Sequence, residues 1–186
     1  MIYIDMKVNT RDYQIILGTI MGGSSIVKSK GGKHCYLSMR DRNGKWLEHK
    51  AFQLAHYASP EPFIINKTNR WHSLCHPIFD EFKIKFYKNE KRHLEIDNLT
   101  FWDLGLAIWF GDSGKFENGS VIINTHIWGK TGTETIKKYF ELCNWSAEIF
   151  KDRKYFRIKL AKEASIHFMK TINHQLPLTL EKKCNI

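Results

Sequence analysis

The sequence contains few cysteines and no arrangement of them that is typical of a metal site. The four cysteines of the 186 residues are Cys35, Cys75, Cys143 and Cys184. They lie tens of residues apart, form no C-x-x-C pair and have no histidine nearby at zinc-finger spacing. The spacing excludes a structural zinc site and favours reduced thiols that pack as small apolar side chains.

Long apolar runs are also missing. No run approaches the ~20 residues that a helix needs to cross a bilayer, and residues 1–5 have neither signal-peptide nor transit-peptide character. We therefore expect a protein that works where it is made. Lysine is far commoner than arginine, and Ile, Asn, Phe and Tyr are plentiful, which indicates an AT-rich genome. We expect the matrix of an organelle, the mitochondrion, if the gene is organellar, or otherwise a bacterial or phage-host cytoplasm.

Acidic residues are scarce relative to basic ones. The chain has 29 Lys and Arg against 19 Asp and Glu, a formal net charge of +10. Such an excess destabilises a compact chain by self-repulsion unless a polyanion is bound, and nucleic acid is the commonest such partner. The alternative is a basic surface that serves solubility. Membrane attraction is a weaker explanation, and 42% hydrophobic residues are enough to build a core.

Hydrophobic spacing and turn residues divide the chain into two similar halves. The first half predicts a helix over 11–21, a hairpin over 24–40 turning at Gly31-Gly32, a helix over 44–57, a hairpin over 63–75 turning at Asn69-Arg70, and a helix from Pro77. The second half predicts a helix over 101–110 capped by Thr100, a hairpin over 115–128, a helix over 133–145, a hairpin over 147–160 and a helix over 162–173. We predict an α+β fold, a duplicated αββαββα arrangement with halves at 1–92 and 93–186.

Both predicted first helices end in related strings, residues 16–24 and 106–114. Each places two small residues one turn apart, Gly18 with Gly22 and Ala107 with Gly111. Small residues at this spacing let two helix backbones approach closely. We predict that the two helices pack on one another between pseudo-symmetric halves. The alternative is a tight core contact with no further role.

With these strings the sequence resembles the LAGLIDADG homing endonucleases in their single-chain form with two motifs. Residues 17–28 resemble the first motif helix and strand, residues 106–115 resemble the second, and residues 121–126 are similar to a strand with an Asn-Thr-Gln run. The resemblance implies that the motif helices form the interface and that each half offers a saddle of antiparallel strands to DNA. It also implies an acidic residue at the foot of each motif helix, which holds divalent ions for cleavage. Because the halves are fused, we expect no homodimer.

The acidic positions depart from that family pattern. Aligned on the glycines, Gly23 and Ser113 stand where the family has its metal-binding acids. Asp112 is the only surviving candidate for a catalytic or metal-binding residue, and only if the alignment shifts by one. A site that lacks one or both acids cannot assemble two ions by their negative charge, so we expect nicking at most. We expect no cofactor, or Mg²⁺ if the protein is catalytically active. Lys91-Arg92 occupies the place of a family lysine pair, whereas residues 173–177 carry no lysine.

Basic residues on the predicted strands and turns are candidates for contacts with nucleic-acid phosphates. They are Lys28, Lys30, His34, Arg40, Lys67, Arg70, Lys115, Arg153, Arg157 and Lys159, together with His72, His126 and Lys151. Tyr36, Trp71, Trp128 and Tyr155 are candidates for stacking on unpaired bases, although alternation turns half of each strand inward.

These features lead to three hypotheses. The first is a catalytically inactive protein that binds structured RNA, because degenerate members of the resembled family include maturases and proteins of organellar ribosomes, which are large ribonucleoprotein assemblies. The second is an active or nicking intron-encoded DNA endonuclease that uses Asp112. The third is a DNA-binding regulator.

Overall fold

A computed structural model describes residues 10–65, 67–177 and 180. The first half contains helices α1 (Thr10–Gly22), α2 (Gly44–Gln53) and α3 (Pro77–Phe86) and strands β1 (Ser25–Lys28), β2 (Cys35–Asp41), β3 (Phe63–Ile65) and β4 (Thr68–His72). A small hairpin, β5 (Tyr87–Lys88) and β6 (Lys91–Arg92), leads out of it. The second half contains helices α4 (Asp103–Ser113), α5 (Gly129–Leu142) and α6 (Lys162–Ile172) and strands β7 (Gly114–Glu117), β8 (Ser120–Asn124), β9 (Ala147–Asp152) and β10 (Tyr155–Leu160).

Each half has one four-stranded antiparallel sheet with the same topology. The strand order is β1-β2-β4-β3 in the first sheet and β7-β8-β10-β9 in the second. Each half runs helix, two strands, helix, two strands, helix. The predicted α+β fold with duplicated αββαββα order is confirmed.

One face of each sheet is buried against helices, as strand alternation requires. In β2, Leu37 and Met39 are fully buried, and in β10 Ile158 and Leu160 are fully buried. The intervening residues point to the opposite face, where Tyr36, Ser38, Arg157 and Lys159 are half-buried and Arg40 is exposed. This open face is where the two sheets can meet a partner.

The sheets are joined through a close contact between α1 and α4. A Cβ at Gly18 would lie 2.4 Å from the carbonyl oxygen of Gly105, and one at Gly105 would lie 2.4 Å from Oε1 of Gln14. A Cβ at Gly22 would likewise meet Asp112. Residues later in α1 therefore contact residues later in α4, so the two helices run parallel to each other. Ala107 is fully buried. The small residue of α4 at this contact is therefore Gly105, whereas a Cβ at Gly111 would meet Trp46 and Leu180.

Two local predictions were wrong. The second hairpin turns between Ile65 and Thr68, where Lys67 has a φ of 60°, because Asn69 and Arg70 pair with Asp41 and Arg40 of β2. Thr100 does not cap α4, since that helix begins after Trp102, whose backbone N–H donates to Oε1 of Gln14 on α1. No helix among the described residues is long and apolar enough to cross a membrane.

Candidate nucleic-acid interface and the feet of the motif helices

The foot of α1 is held by a half-buried cation. The Arg92 guanidinium donates to the carbonyl oxygens of Ile20, Gly23 and Ser24, at 3.2, 3.2 and 2.6 Å. These carbonyls lie at the C-terminus of the helix, where the helix dipole favours a positive charge. Arg92 also lies over the ring of Trp128, 5.2 Å from its centroid, and burial lowers its pKa. Arg92 therefore holds the end of α1 and is turned toward the protein.

Residue 23 stands where the family pattern has its first acid, and the backbone at this residue disfavours an acidic side chain. Gly23 has a φ of +127°, a region that residues with a Cβ rarely adopt. An Asp at residue 23 would require a strained backbone or a rearrangement of the neighbouring chain.

The foot of α4 is held by a fully buried cation, Lys50, which comes from the first half of the chain. The Lys50 ammonium donates to Oδ1 of Asp112 at 2.5 Å, and the Trp46 indole donates to the same oxygen at 2.6 Å. The side chains of Lys50 and Asp112 are 1% and 6% exposed. Burial raises the pKa of the Asp112 carboxyl, while Lys50 and Trp46 oppose that effect. The pair joins α2 of the first half to α4 of the second.

Ser113 stands where the family pattern has its second acid, and it forms hydrogen bonds with Trp109 and Asn124. Its side chain is buried and its hydroxyl donates to the carbonyl oxygen of Trp109. The side-chain amide of Asn124 donates to the carbonyl oxygen of Ser113. In the described part of the chain, no three His, Cys, Asp or Glu side chains are grouped as metal ligands. Mg²⁺ is held by several oxygen ligands, usually carboxylates. Glycine, a donating hydroxyl and a lysine-bound carboxylate do not fit that requirement.

The open face of the first sheet carries arginines. Arg40 and Arg70 lie directly opposite each other on β2 and β4, and Arg70 is followed on the same face by His72. Lys67 lies in the turn between β3 and β4, and Lys30 precedes the Gly31 turn between β1 and β2. Burial and the charge of Arg70 lower the pKa of His72.

The open face of the second sheet carries its basic residues in ion pairs. Lys115 lies 2.6 Å from Glu117, Arg157 lies 2.8 Å from Asp152, and Lys159 lies 3.5 Å from Glu148. Arg153 lies exposed in the turn between β9 and β10, with a φ of 56°. Lys151 is exposed but lies on the helix side of this sheet, because it pairs with Phe156 on the same face as Ile149 and Ile158.

Two further predicted contact residues also lie away from the open faces. Lys28 pairs with buried Cys35, on the helix side of the first sheet, and its ammonium donates to the carbonyl oxygen of Lys33. His34 lies 2.6 Å from Asp80 at the start of α3. Alternation explains Lys28, because it lies two residues beyond buried Ile26.

Two of the four aromatic candidates for stacking are buried, and the other two are partly or fully accessible. Trp71 and Trp128 are core residues, 1% and 6% exposed. Tyr155 is exposed and packs edge-on against His126, with the ring centroids 5.1 Å apart. Tyr36 is half-buried on the open face of the first sheet beside His72.

A concavity of about 600 Å³ lies where the two halves meet. It is lined by Arg40, Asp41, Arg42, Thr68, Arg70, Asp112 and His126. Its two carboxylates are engaged, since Asp112 accepts from Lys50 and Asp41 accepts from the backbone N–H of Asn43. Burial, followed by the charges of Arg157 and Arg92, lowers the pKa of His126. The concavity is suited to an anion.

Sequence reasoning missed Lys50, although its position carries a detectable pattern. It lies three residues after Leu47 and four before Leu54, on the apolar face of α2. A lysine at such a position needs a buried partner. The partner, Asp112, is 62 residues away, and only the tertiary fold brings it close.

A family model for the LAGLIDADG DNA endonuclease family matches residues 13–168. The chain belongs to this family. The match spans both sheets and both central helices, so it includes the feet of α1 and α4 described above. No curated protein matches the chain in sequence.

Solved structures of other proteins share this LAGLIDADG fold. The homing endonuclease I-WcaI bound to its DNA recognition sequence has a TM-score of 0.85 at 21% identity, with 93% of this chain and 85% of that chain covered. I-DmoI in complex with DNA and Ca has a TM-score of 0.62 at 13% identity, with 91% and 93% covered. Full-length DUF199/WhiA from Thermatoga maritima has a TM-score of 0.58 at 13% identity, with 97% and 61% covered.

Proposed function

We propose that the protein binds nucleic acid across the open faces of its two sheets and does not cleave it. The observation that carries the proposal is the Lys50–Asp112 pair. The one carboxylate at the foot of α4 accepts hydrogen bonds from Lys50 and Trp46, and its side chain is 6% exposed. Two-metal hydrolysis requires negative ligands that are free to hold the ions.

Binding is supported by the charge and shape of the open faces. Arg40, Arg70 and Lys67 belong to one sheet, and Lys115, Arg157 and Lys159 belong to the other. The similar chains I-WcaI and I-DmoI were solved with DNA. Both are matched over most of their length, which favours the same use of the open faces here.

A preference for structured RNA is the finer form of the proposal. It is favoured by Tyr155, which is exposed on the second sheet, and by Tyr36 on the first, since aromatic rings stack on unpaired bases. Trp71 and Trp128 cannot contribute, because both are buried. A role as a maturase or ribosomal protein and a mitochondrial location rest on the resemblance and on composition, and they stay predictions.

The test is binding and cleavage measured on the same samples. A DNA library and structured RNAs are incubated with the full chain, with either Mg²⁺ or EDTA. We expect retention on nucleic acid in both conditions and intact strands in both. Metal-dependent cleavage of both strands would contradict the inactive assignment. Nicking that Asp112→Asn abolishes would favour the nickase hypothesis instead. Among the bound species, a competition between an RNA with unpaired bases and a DNA duplex of equal charge, at about 0.15 M salt, decides the preference.

A further inference from the structure

The two open faces differ in a way that their shared topology does not require. On the first sheet, Arg40 and Arg70 are directly opposite each other. Side chains at such positions lie about 5 Å apart at Cβ, and like charges there repel. Among the described residues, neither arginine has a carboxylate in salt-bridge contact. The Nε atom of Arg70 is buried without a hydrogen-bond partner, as is that of Arg157 on the second sheet, so the difference between the sheets lies in the carboxylate partners.

On the second sheet, the strands that correspond to β2 and β4 are β8 and β10, and there Arg157 lies opposite the neutral Asn124. Lys159 of β10 lies directly opposite Glu148 of β9. Arg157 and Lys115 are also paired, with Asp152 and Glu117. A basic side chain that already has a carboxylate neighbour adds little net positive charge to the face.

Next to the arginine pair lies the concavity at the centre of the open faces. Arg42 joins Arg40 and Arg70 around it, and its carboxylates are engaged by Lys50 and by the backbone of Asn43. Phosphate groups accept hydrogen bonds from arginine, often two at a time. A phosphate there would relieve the repulsion between Arg40 and Arg70 and give Arg70 an acceptor.

We infer that nucleic-acid phosphates are bound mainly by the first sheet and the central concavity, through Arg40, Arg42 and Arg70. The second sheet contributes less because three of its basic residues, Lys115, Arg157 and Lys159, each have a carboxylate neighbour. The inference rests on the proposed nucleic-acid binding and adds that the two halves contribute unequally. The first half binds the phosphate backbone, and the second half lies along it with less net positive charge.

The first test measures how affinity for a mixed-sequence DNA duplex depends on salt between about 50 and 200 mM. Each phosphate contact contributes a slope of about −0.9 to the plot of log affinity against log salt. We expect Arg40→Gln with Arg42→Gln, both exposed positions, to make the slope shallower by about 1.8. The matched variant Lys115→Gln with Lys159→Gln removes the same charge and should change the slope by less than half as much.

The second test reverses the asymmetry. Glu117→Gln, Glu148→Gln and Asp152→Asn together free three basic residues on the second sheet, and should raise affinity and steepen the slope by up to about 2.7. The control removes three acids from the helices, Glu134→Gln, Glu141→Gln and Glu163→Gln, and should have a smaller effect at the same net charge. Melting curves verify that each variant is folded.

The outcomes separate the inference from the function on which it rests. Equal losses from the two basic pairs, or equal gains from the two acid triples, overturn the asymmetry and leave nucleic-acid binding in place. If the unaltered chain retains neither DNA nor RNA at about 50 mM salt, where phosphate contacts are strongest, the proposed function fails and the inference fails with it.

Discussion

The carboxylate of Asp112 occupies the space that a side chain at residue 22 would fill. A Cβ added to Gly22 would lie 2.3 Å from Cβ of Asp112 and 2.6 Å from its Oδ2. We therefore expect Gly22→Ala to lower the free energy of unfolding by about 1–3 kcal/mol, as overpacking does. Urea unfolding measures this. The loss should shrink in an Asp112→Gly background, where the clashing atoms are gone, and an undiminished loss would mean that the two residues are not in contact.

The buried ion pair gives a prediction about each partner alone. Lys50→Met leaves the Asp112 carboxylate buried without its cation, which typically costs about 3–5 kcal/mol. Lys50→Met combined with Asp112→Asn removes both charges and should recover most of the loss, because Trp46 still has an acceptor at residue 112. Equilibrium unfolding of the two variants is the measurement. Similar instability in both would show that packing, and not charge, determines the effect of residue 50.

The close approach of α1 and α4 should tolerate no added carbon. A Cβ at Gly18 meets the backbone oxygen of Gly105 at 2.4 Å, and a backbone atom cannot move aside as a side chain can. Gly18→Ala should lower the melting temperature, with larger effects from Gly18→Leu and Ala107→Leu. Gly44→Ala is the control, since its Cβ would meet only the Asn69 side chain, at 3.2 Å or more. If Gly18→Ala melts like the unaltered protein, the two helices do not pack as described.

Binding should strengthen on acidification because of His72. Burial and Arg70 hold the pKa of His72 below its ordinary value of 6.5. A phosphate neutralises Arg70 and favours the protonated ring, so the pKa of His72 rises on binding and the bound state takes up a proton at a higher pH than the free state does. The affinity gain is at most about tenfold per pH unit for one proton. The same depressed pKa makes the folded state less stable as pH falls through this range, because the unfolded chain binds the proton more readily.

The measurement is affinity at constant ionic strength from pH 7.5 to pH 5.5. His72→Gln should flatten the dependence, and His167→Gln on α6 should leave it unchanged. An unaltered profile in His72→Gln would remove this residue from the interface. Circular dichroism at each pH verifies that the protein remains folded.

Most of the fold follows from local patterns, and most of the site does not. Periodicity places the helices, and Gly31 marks the turn of the first hairpin, where its backbone has a positive φ. The turn predicted at Asn69-Arg70 failed because these residues pair with β2, which no local pattern reveals.

At the site, the resemblance indicates positions 23, 112 and 113 but not their surroundings. The cation that neutralises Asp112 is Lys50, 62 residues earlier in the chain. The side chain that accepts from the backbone N–H of Trp102, just before α4, is Gln14, 88 residues earlier in the chain. Such partners are set by how α1, α2 and α4 pack, so they become visible only in three dimensions.

The backbone at Gly23 also bears on which residues this position accepts. With φ at +127°, the position accepts glycine without strain, whereas an acidic residue would have to adopt a rarely populated conformation or shift the chain. Any such shift would involve the carbonyl oxygens of Ile20, Gly23 and Ser24 that Arg92 binds. A side chain at residue 23 is therefore coupled to the hydrogen bonds that fix the end of α1.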